Sequence, residues 1–235
     1  WVFTLARHGA PMSIGQIFQA PAVASGPVAI TWITPTANTL ANQTVYTASS
    51  QNIGTATADR HVVVCVTCDV NTGSTVLSMT IGGSAASLLR DNDNAKNVPA
   101  IFSLLVTSGT TADIVTTYSA TQPNQAIDVF TVTGAGQTIV VSDSDTASPA
   151  SGNNCVLTMD VPANGGAIAQ TMADTSATWG WTNLTEAVDT QISGLTYSSA
   201  SKVFATLQSG LVITATPSST SSNSLRITGI AIAPG

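Results

Sequence analysis

Alternation with a period of two runs through most of this chain. Across 75–81, Leu77, Met79 and Ile81 share one face, with Val76, Ser78 and Thr80 on the other. Across 155–161, Cys155, Leu157, Met159 and Val161 line one side, opposite Val156, Thr158 and Asp160. Successive side chains on a strand point to opposite sides, so this pattern predicts strands with one face in a core. Similar patterns predict strands at 112–118, 126–132, 137–141, 211–216 and 224–232, with two more at 27–33 and 44–47. The run His61-Val62-Val63-Val64-Cys65-Val66-Thr67 reads as a buried strand.

Turn chemistry separates these segments. Asn71-Thr72-Gly73, Gly82-Gly83, Gly134-Ala135-Gly136, Asn164-Gly165-Gly166 and Ser209-Gly210 supply the positive-φ or flexible positions that chain reversals need. Helical spacing of apolar residues is weak throughout, and 85–89 is a candidate for one short helical turn. The expected fold class is therefore all-β: a β-sandwich of jelly-roll type, as one domain over 27–235. Residues 1–26 break the pattern, with Trp1, Phe3, Ile17 and Phe18 set among Pro11, Pro21 and small residues. They are expected to form an extended N-terminal arm docking on a neighbouring subunit, a peripheral strand of the same domain being the other reading.

Composition narrows the surroundings. Hydrophobic residues make up 43% of the 235, enough for a sizeable core. Charged residues are only 8%, against about 25% in an average soluble domain. The polar surface must then consist mainly of Ser, Thr, Asn, Gln and Gly, and few of its contacts depend on salt. The six cations, Arg7, Arg60, Arg90, Lys96, Lys202 and Arg226, stand singly. Backbone binding of nucleic acid needs clustered cations that release counterions, so no nucleic-acid partner is expected. No apolar run approaches the roughly 18 residues that span a bilayer, so no membrane insertion is expected. Residues 1–26 lack the layout of a signal peptide, and Met12 is a candidate start.

Few side chains offer chemistry. Cys65 and Cys68 have C-x-x-C spacing, but on a strand residues three apart face opposite sides, so a shared metal or a bridge is not expected. With Cys155 the count is three, which argues against a disulfide framework. His61 follows Asp59-Arg60, yet no nucleophile motif accompanies it, and it reads as an ordinary strand residue. Glu186, the only glutamate, and Asp189 are the one candidate carboxylate pair for glycosidic chemistry. Asp91-Asn92-Asp93-Asn94 and Asp143-Ser144-Asp145 resemble calcium loops but read better as turns.

Trp179-Gly180-Trp181 places two indoles on one strand face. They are candidates for glycan or partner contact, or else they cap the core. No catalytic, cofactor-binding or metal-binding residue is assigned, and the chain is expected not to be an enzyme and to need no cofactor.

A family resemblance adds a setting. Thr44-Val45-Tyr46-Thr47, Asn52-Ile53-Gly54-Thr55-Ala56 and Asp59-Arg60-His61-Val62-Val63-Val64 resemble a β-rich domain found in virion proteins of tailed bacteriophages. The likeness continues through Met79-Thr80-Ile81-Gly82-Gly83-Ser84-Ala85, Trp181-Thr182-Asn183-Leu184-Thr185-Glu186 and Tyr197-Ser198-Ser199-Ala200-Ser201. It implies a capsid decoration (cement) subunit or fibre module on the virion surface, assembled in the host cytoplasm where buried thiols stay reduced. Expected partners are other copies of the chain, a trimer before other symmetries, and major capsid or tail proteins. A carbohydrate-binding adhesin contacting host glycan through Trp179 and Trp181 is the alternative, and a polysaccharide depolymerase domain a second.

Overall fold

The computed structural model describes residues 26–33, 38–68, 74–92, 99–147, 154–174, 176–192, 194–219 and 225–235. Among them every regular element is a strand. In chain order these are β1 (Ala29–Ile33), β2 (Asn38–Asn52), β3 (His61–Thr67), β4 (Val76–Ile81), β5 (Ser84–Ala85), β6 (Ser87–Asp91), β7 (Ala100–Leu105) and β8 (Thr111–Thr133). Then come β9 (Val141–Ala147), β10 (Cys155–Val161), β11 (Gly165–Ala173), β12 (Trp179–Thr182), β13 (Thr185–Ile192), β14 (Leu195–Phe204), β15 (Gln208–Pro217) and β16 (Arg226–Ile232). All pairings are antiparallel.

The first eight strands form one sheet in the order β5-β4-β8-β3-β7-β6, with β1 and β2 on the other side of β8. The strands expected at 112–118 and 126–132 are the two ends of β8, which runs unbroken for 23 residues. Val45 pairs with Thr117 and Gln43 with Gln122, so β8 advances five residues where β2 advances two. That odd surplus reverses which parity faces inward. Ile114 and Tyr118 enter the core before it, and Ile127 and Val129 after it. The sheet bends there and packs on itself around Tyr46, Val62, Val64, Phe102 and Ile114. Its two ends, β5 and β6, are separated in the chain by Ala86 alone, so the sheet is a nearly closed barrel.

The second half builds a five-stranded sheet, β13-β14-β11-β16-β9, and a three-stranded one, β10-β15-β12. One face of the five-stranded sheet, through Ala167, Ala169 and Ala231, meets Leu157, Met159 and Ile213 of the smaller sheet. Its other face, through Ile168, Ile230 and Ile232, meets Val63, Cys65, Phe130 and Val132 of the curled sheet. β3 and β11 are therefore buried at every position, whereas β10 alternates as its sequence predicts. Burying each such aliphatic side chain contributes about 1.5–3 kcal/mol. Polar ties cross the same layers: Gln170 Nε2 donates to Ala100 O at 2.7 Å, and Asn92 Nδ2 donates to Ala147 O at 3.0 Å.

The sandwich architecture matches the expectation, and several local readings change. Leu77 is 61% exposed, because a register shift between Val76 and Ser78 turns Val76 inward in its place. Ala85 and residues 87–89 are strand, with Ala86 between them, and are held by β4 and β7 in place of a helical turn. Of 137–141 only Val141 is strand, the residues before it forming a turn with Gly134 and Gly136 at φ +77. Ser209-Gly210 is a bulge inside β15, where Gly210 at φ +60 absorbs the extra residue opposite β10. Asp143-Ser144-Asp145 lies in β9 and is no turn. The Asn71-Thr72-Gly73 turn, Asp93-Asn94 and the proposed arm with Trp1, Phe3, Ile17 and Phe18 lie outside the described residues.

Candidate functional site

A bulge in β13 builds the most chemically varied corner of the protein. Glu186 pairs with Ala200, but Val188 pairs with Ser199 and Asp189 with Ser198, leaving Ala187 as the extra residue. On a regular strand Glu186 and Asp189 would face opposite sides; the bulge puts both on the face of Ala200 and Ser198. β12 delivers the tryptophans to the same corner. The Trp179 backbone N–H donates to Asp189 Oδ2 at 2.8 Å, and Trp181 Nε1 donates to Ser198 Oγ at 2.8 Å. Ser198 Oγ in turn donates to Val188 O at 2.7 Å.

The two indoles share one face, as expected from their spacing, and that face is inward. Trp179 is 6% exposed and sits in the core between the five- and three-stranded sheets, with Trp181 half-buried against the same core. Gly180 points outward into open space. An exposed platform of two stacked indoles is therefore not presented, and only Trp181 reaches the surface. Burial raises the Glu186 carboxyl above its ordinary range, and neighbouring Asp189 raises it further. Burial also raises Asp189, opposed by the Trp179 N–H. A carboxyl whose affinity for its proton is raised beside a second carboxyl is the kind of pairing that glycosidic acid–base chemistry draws on.

The Asp59-Arg60-His61 neighbourhood is tied up differently. His61 is 3% exposed with Nε2 3.1 Å from Gly136 O, and burial lowers its pKa. Asp59 Oδ2 accepts the Gly134 N–H at 2.8 Å, so both residues brace the turn at 134–136. Arg60 is fully buried and donates to four carbonyls, those of Gly54, Val106, Ser108 and Gly109. Nothing in the chain's motifs marked this role, although a cation just ahead of a buried strand in a chain so poor in charge was the available signal.

No family model matches the chain, and no curated protein matches it.

The acidic pair in β9 serves the backbone. Asp143 Oδ2 accepts from Asp160 N at 2.7 Å and Asp145 Oδ2 from Thr158 N at 2.8 Å, strapping β9 to the edge of β10. Among the described residues no group of three or more His, Cys, Asp or Glu is placed to hold a metal ion. Cys65 lies between the curled and five-stranded sheets and Cys68 inside the curled sheet, on opposite faces as the strand geometry requires. Burial pushes the Cys65 thiol up, and the Cys155 thiol up to about 11.

Proposed function

We propose that this chain is a structural protein on the surface of a phage particle, a capsid decoration subunit or fibre module that acts through subunit contacts. The observation that carries the reading is the outward face of the three-stranded sheet. There Val156 pairs with Thr214 and Thr158 with Val212, and Val156 and Val212 are 41% and 47% exposed. Asp160 is the charged residue along β10. Valines and threonines in that arrangement bury well against another neutral surface, and no ion has to be stripped of water in the process. The resemblance over residues 44–232 supports the same reading. Washed particles should contain the protein, and a Val156→Glu, Val212→Glu double variant should be absent from them. Particles free of the wild-type chain would sink the idea.

A glycan-binding module is the second reading, favoured by the corner where Trp181 reaches the surface beside Glu186 and Asp189. Trp181→Ala should then lose host-surface glycan binding; unchanged binding would remove this reading.

A further inference from the structure

Among the described residues the curled sheet leaves a gap in its hydrogen-bonded circuit between β5 and the end of β7, and the gap is shaped like a strand. Val106 N donates to Arg60 O, so residues 104 and 106 turn their backbone groups towards β3. Leu105 must then turn its N–H and C=O the opposite way, because ladder directions alternate along a strand. On that side β6 has already ended: its pairing with β7 stops at Ser87 opposite Ser103, and among the described residues no other strand pairs with Leu105 there. The chain has instead crossed to the far edge of the sheet as β5.

A groove of about 470 Å³ occupies this seam. Gly82 and Ser84 form one bank, Leu104 and Leu105 the other, with Ile53 and Ala112 also lining it. None of the lining side chains is charged. One bank is pre-set, because the Arg60 guanidinium holds the carbonyls of Val106, Ser108 and Gly109. The edge of β10 is by contrast closed by side chains: Asp143 and Asp145 take its N–H groups at Asp160 and Thr158. An open edge is a template for another strand, and proteins usually blunt it.

We infer that the seam between β5 and the end of β7 is a docking groove for one extended, uncharged strand of a neighbouring protein subunit. That strand pairs with Leu105 and completes the barrel. Main-chain bonds to Leu105 supply the attachment, and the uncharged banks select neutral side chains on alternate positions. A charged segment would lose its hydration in a groove that returns no counter-charge. This rests on the reading that the chain works through subunit contacts.

The test uses the full chain and an acetylated, amidated peptide alternating threonine and valine over seven residues, with a lysine/aspartate alternate as control. Binding of the neutral peptide, read by fluorescence anisotropy, should protect the Leu105 amide from hydrogen exchange. Leu105→Pro removes that N–H without touching the bonds to β3, and should weaken binding at least tenfold. Leu105→Ala keeps the N–H and trims only one bank, so it should weaken binding far less than Leu105→Pro does. Ser84→Arg, at an exposed position, should weaken binding at least tenfold by filling the groove, and guards against misfolding of the proline variant. Equal affinity in wild type and Ser84→Arg, or no protection of Leu105, overturns the inference. If the chain is present on washed particles in that event, the groove is refuted and the particle reading survives.

Discussion

Replacing Arg60 with Met measures how much of the curled sheet's open end hangs on one buried cation. The side chain is fully buried, and Nε, Nη1 and Nη2 reach four carbonyl oxygens at 2.6–3.0 Å. A hydrogen bond from a charged donor contributes about 1.5–3 kcal/mol net. Ser108 and Gly109 lie in an exposed loop, so their carbonyls can turn to water once released. Those of Gly54 and Val106 come from half-buried residues, and losing their donor should cost about 3–6 kcal/mol together. Removing the charge also removes its desolvation penalty, which offsets a part. The expected net loss is about 3–5 kcal/mol, a large share of the roughly 5–15 kcal/mol that holds a typical domain folded. Urea titration followed by tryptophan fluorescence reads it: at a slope near 2 kcal/mol/M, the midpoint should fall by about 1.5–2.5 M with the slope unchanged. Arg60→Lys should recover less than half, because a compact ammonium cannot fork towards carbonyls on both sides. An Arg60→Met midpoint within about 0.3 M of the wild type would refute the reasoning.

Three further outcomes follow from the packing. A Cβ on Gly229 would sit 2.7 Å from Leu157 Cδ1 and 3.3 Å from Ala169 Cβ; Gly229→Ala should cost about 1–3 kcal/mol, seen as a fall of several degrees in Tm. The folded-state pKa of Glu186 is raised above 4.5, so the stability linked to it is fully present below that pH and lost as pH rises through the folded value. Glu186→Gln should thus leave Tm unchanged at pH 4 and raise it at pH 7, and a lower Tm at pH 7 would contradict the burial argument. Cys65, Cys68 and Cys155 are buried as thiols, so a thiol reagent should label them only at the rate of unfolding, and diamide should form no Cys65–Cys68 bridge in the folded protein.

What the sequence disclosed and what it hid follow one physical division. Cys155, Leu157, Met159 and Val161 alternate in the sequence and alternate in the structure, because β10 meets a partner sheet on one face only. Where a strand is irregular, the pattern misleads. Leu77 fits the alternation of its neighbours, yet one register shift turns it outward. The sequence offered Glu186 and Asp189 as a pair but hid their convergence for the same reason: their spacing implies opposite faces, and only the extra residue Ala187 unites them. Bulges depend on tertiary fit, and no periodicity announces them. The unbroken course of β8 through Pro123 was equally hidden, since proline reads as a strand breaker, but here it falls within a register shift between Leu40 and Gln43.

The scarcity of charge connects fold and function more closely than any motif does. Asp59, Asp113, Asp143, Asp145, Asp160 and Asp189 each accept a backbone N–H, and Arg60 serves backbone carbonyls alone. Ions used in this way close turns and strand edges, which an otherwise neutral surface of hydroxyls and amides would leave open to mispairing. With charged residues only 8% of the chain and most of the described aspartates turned to backbone N–H groups, little charge is left to steer partners from a distance. Recognition must then rest on shape, apolar contact and main-chain pairing, all of which act only once two surfaces touch. Those are the properties of the Val156–Val212 face and of the Leu105 seam. If acidic side chains guard the other edges against unwanted strands, substituting one of them should open a new edge. Asp143→Ala, Asp145→Ala should leave folding intact and make the protein self-associate through β10 at neutral pH. Sedimentation showing the double variant as monodisperse as the wild type would mean that the carboxylates brace β9 without guarding the edge, and the seam's openness would lose its contrast.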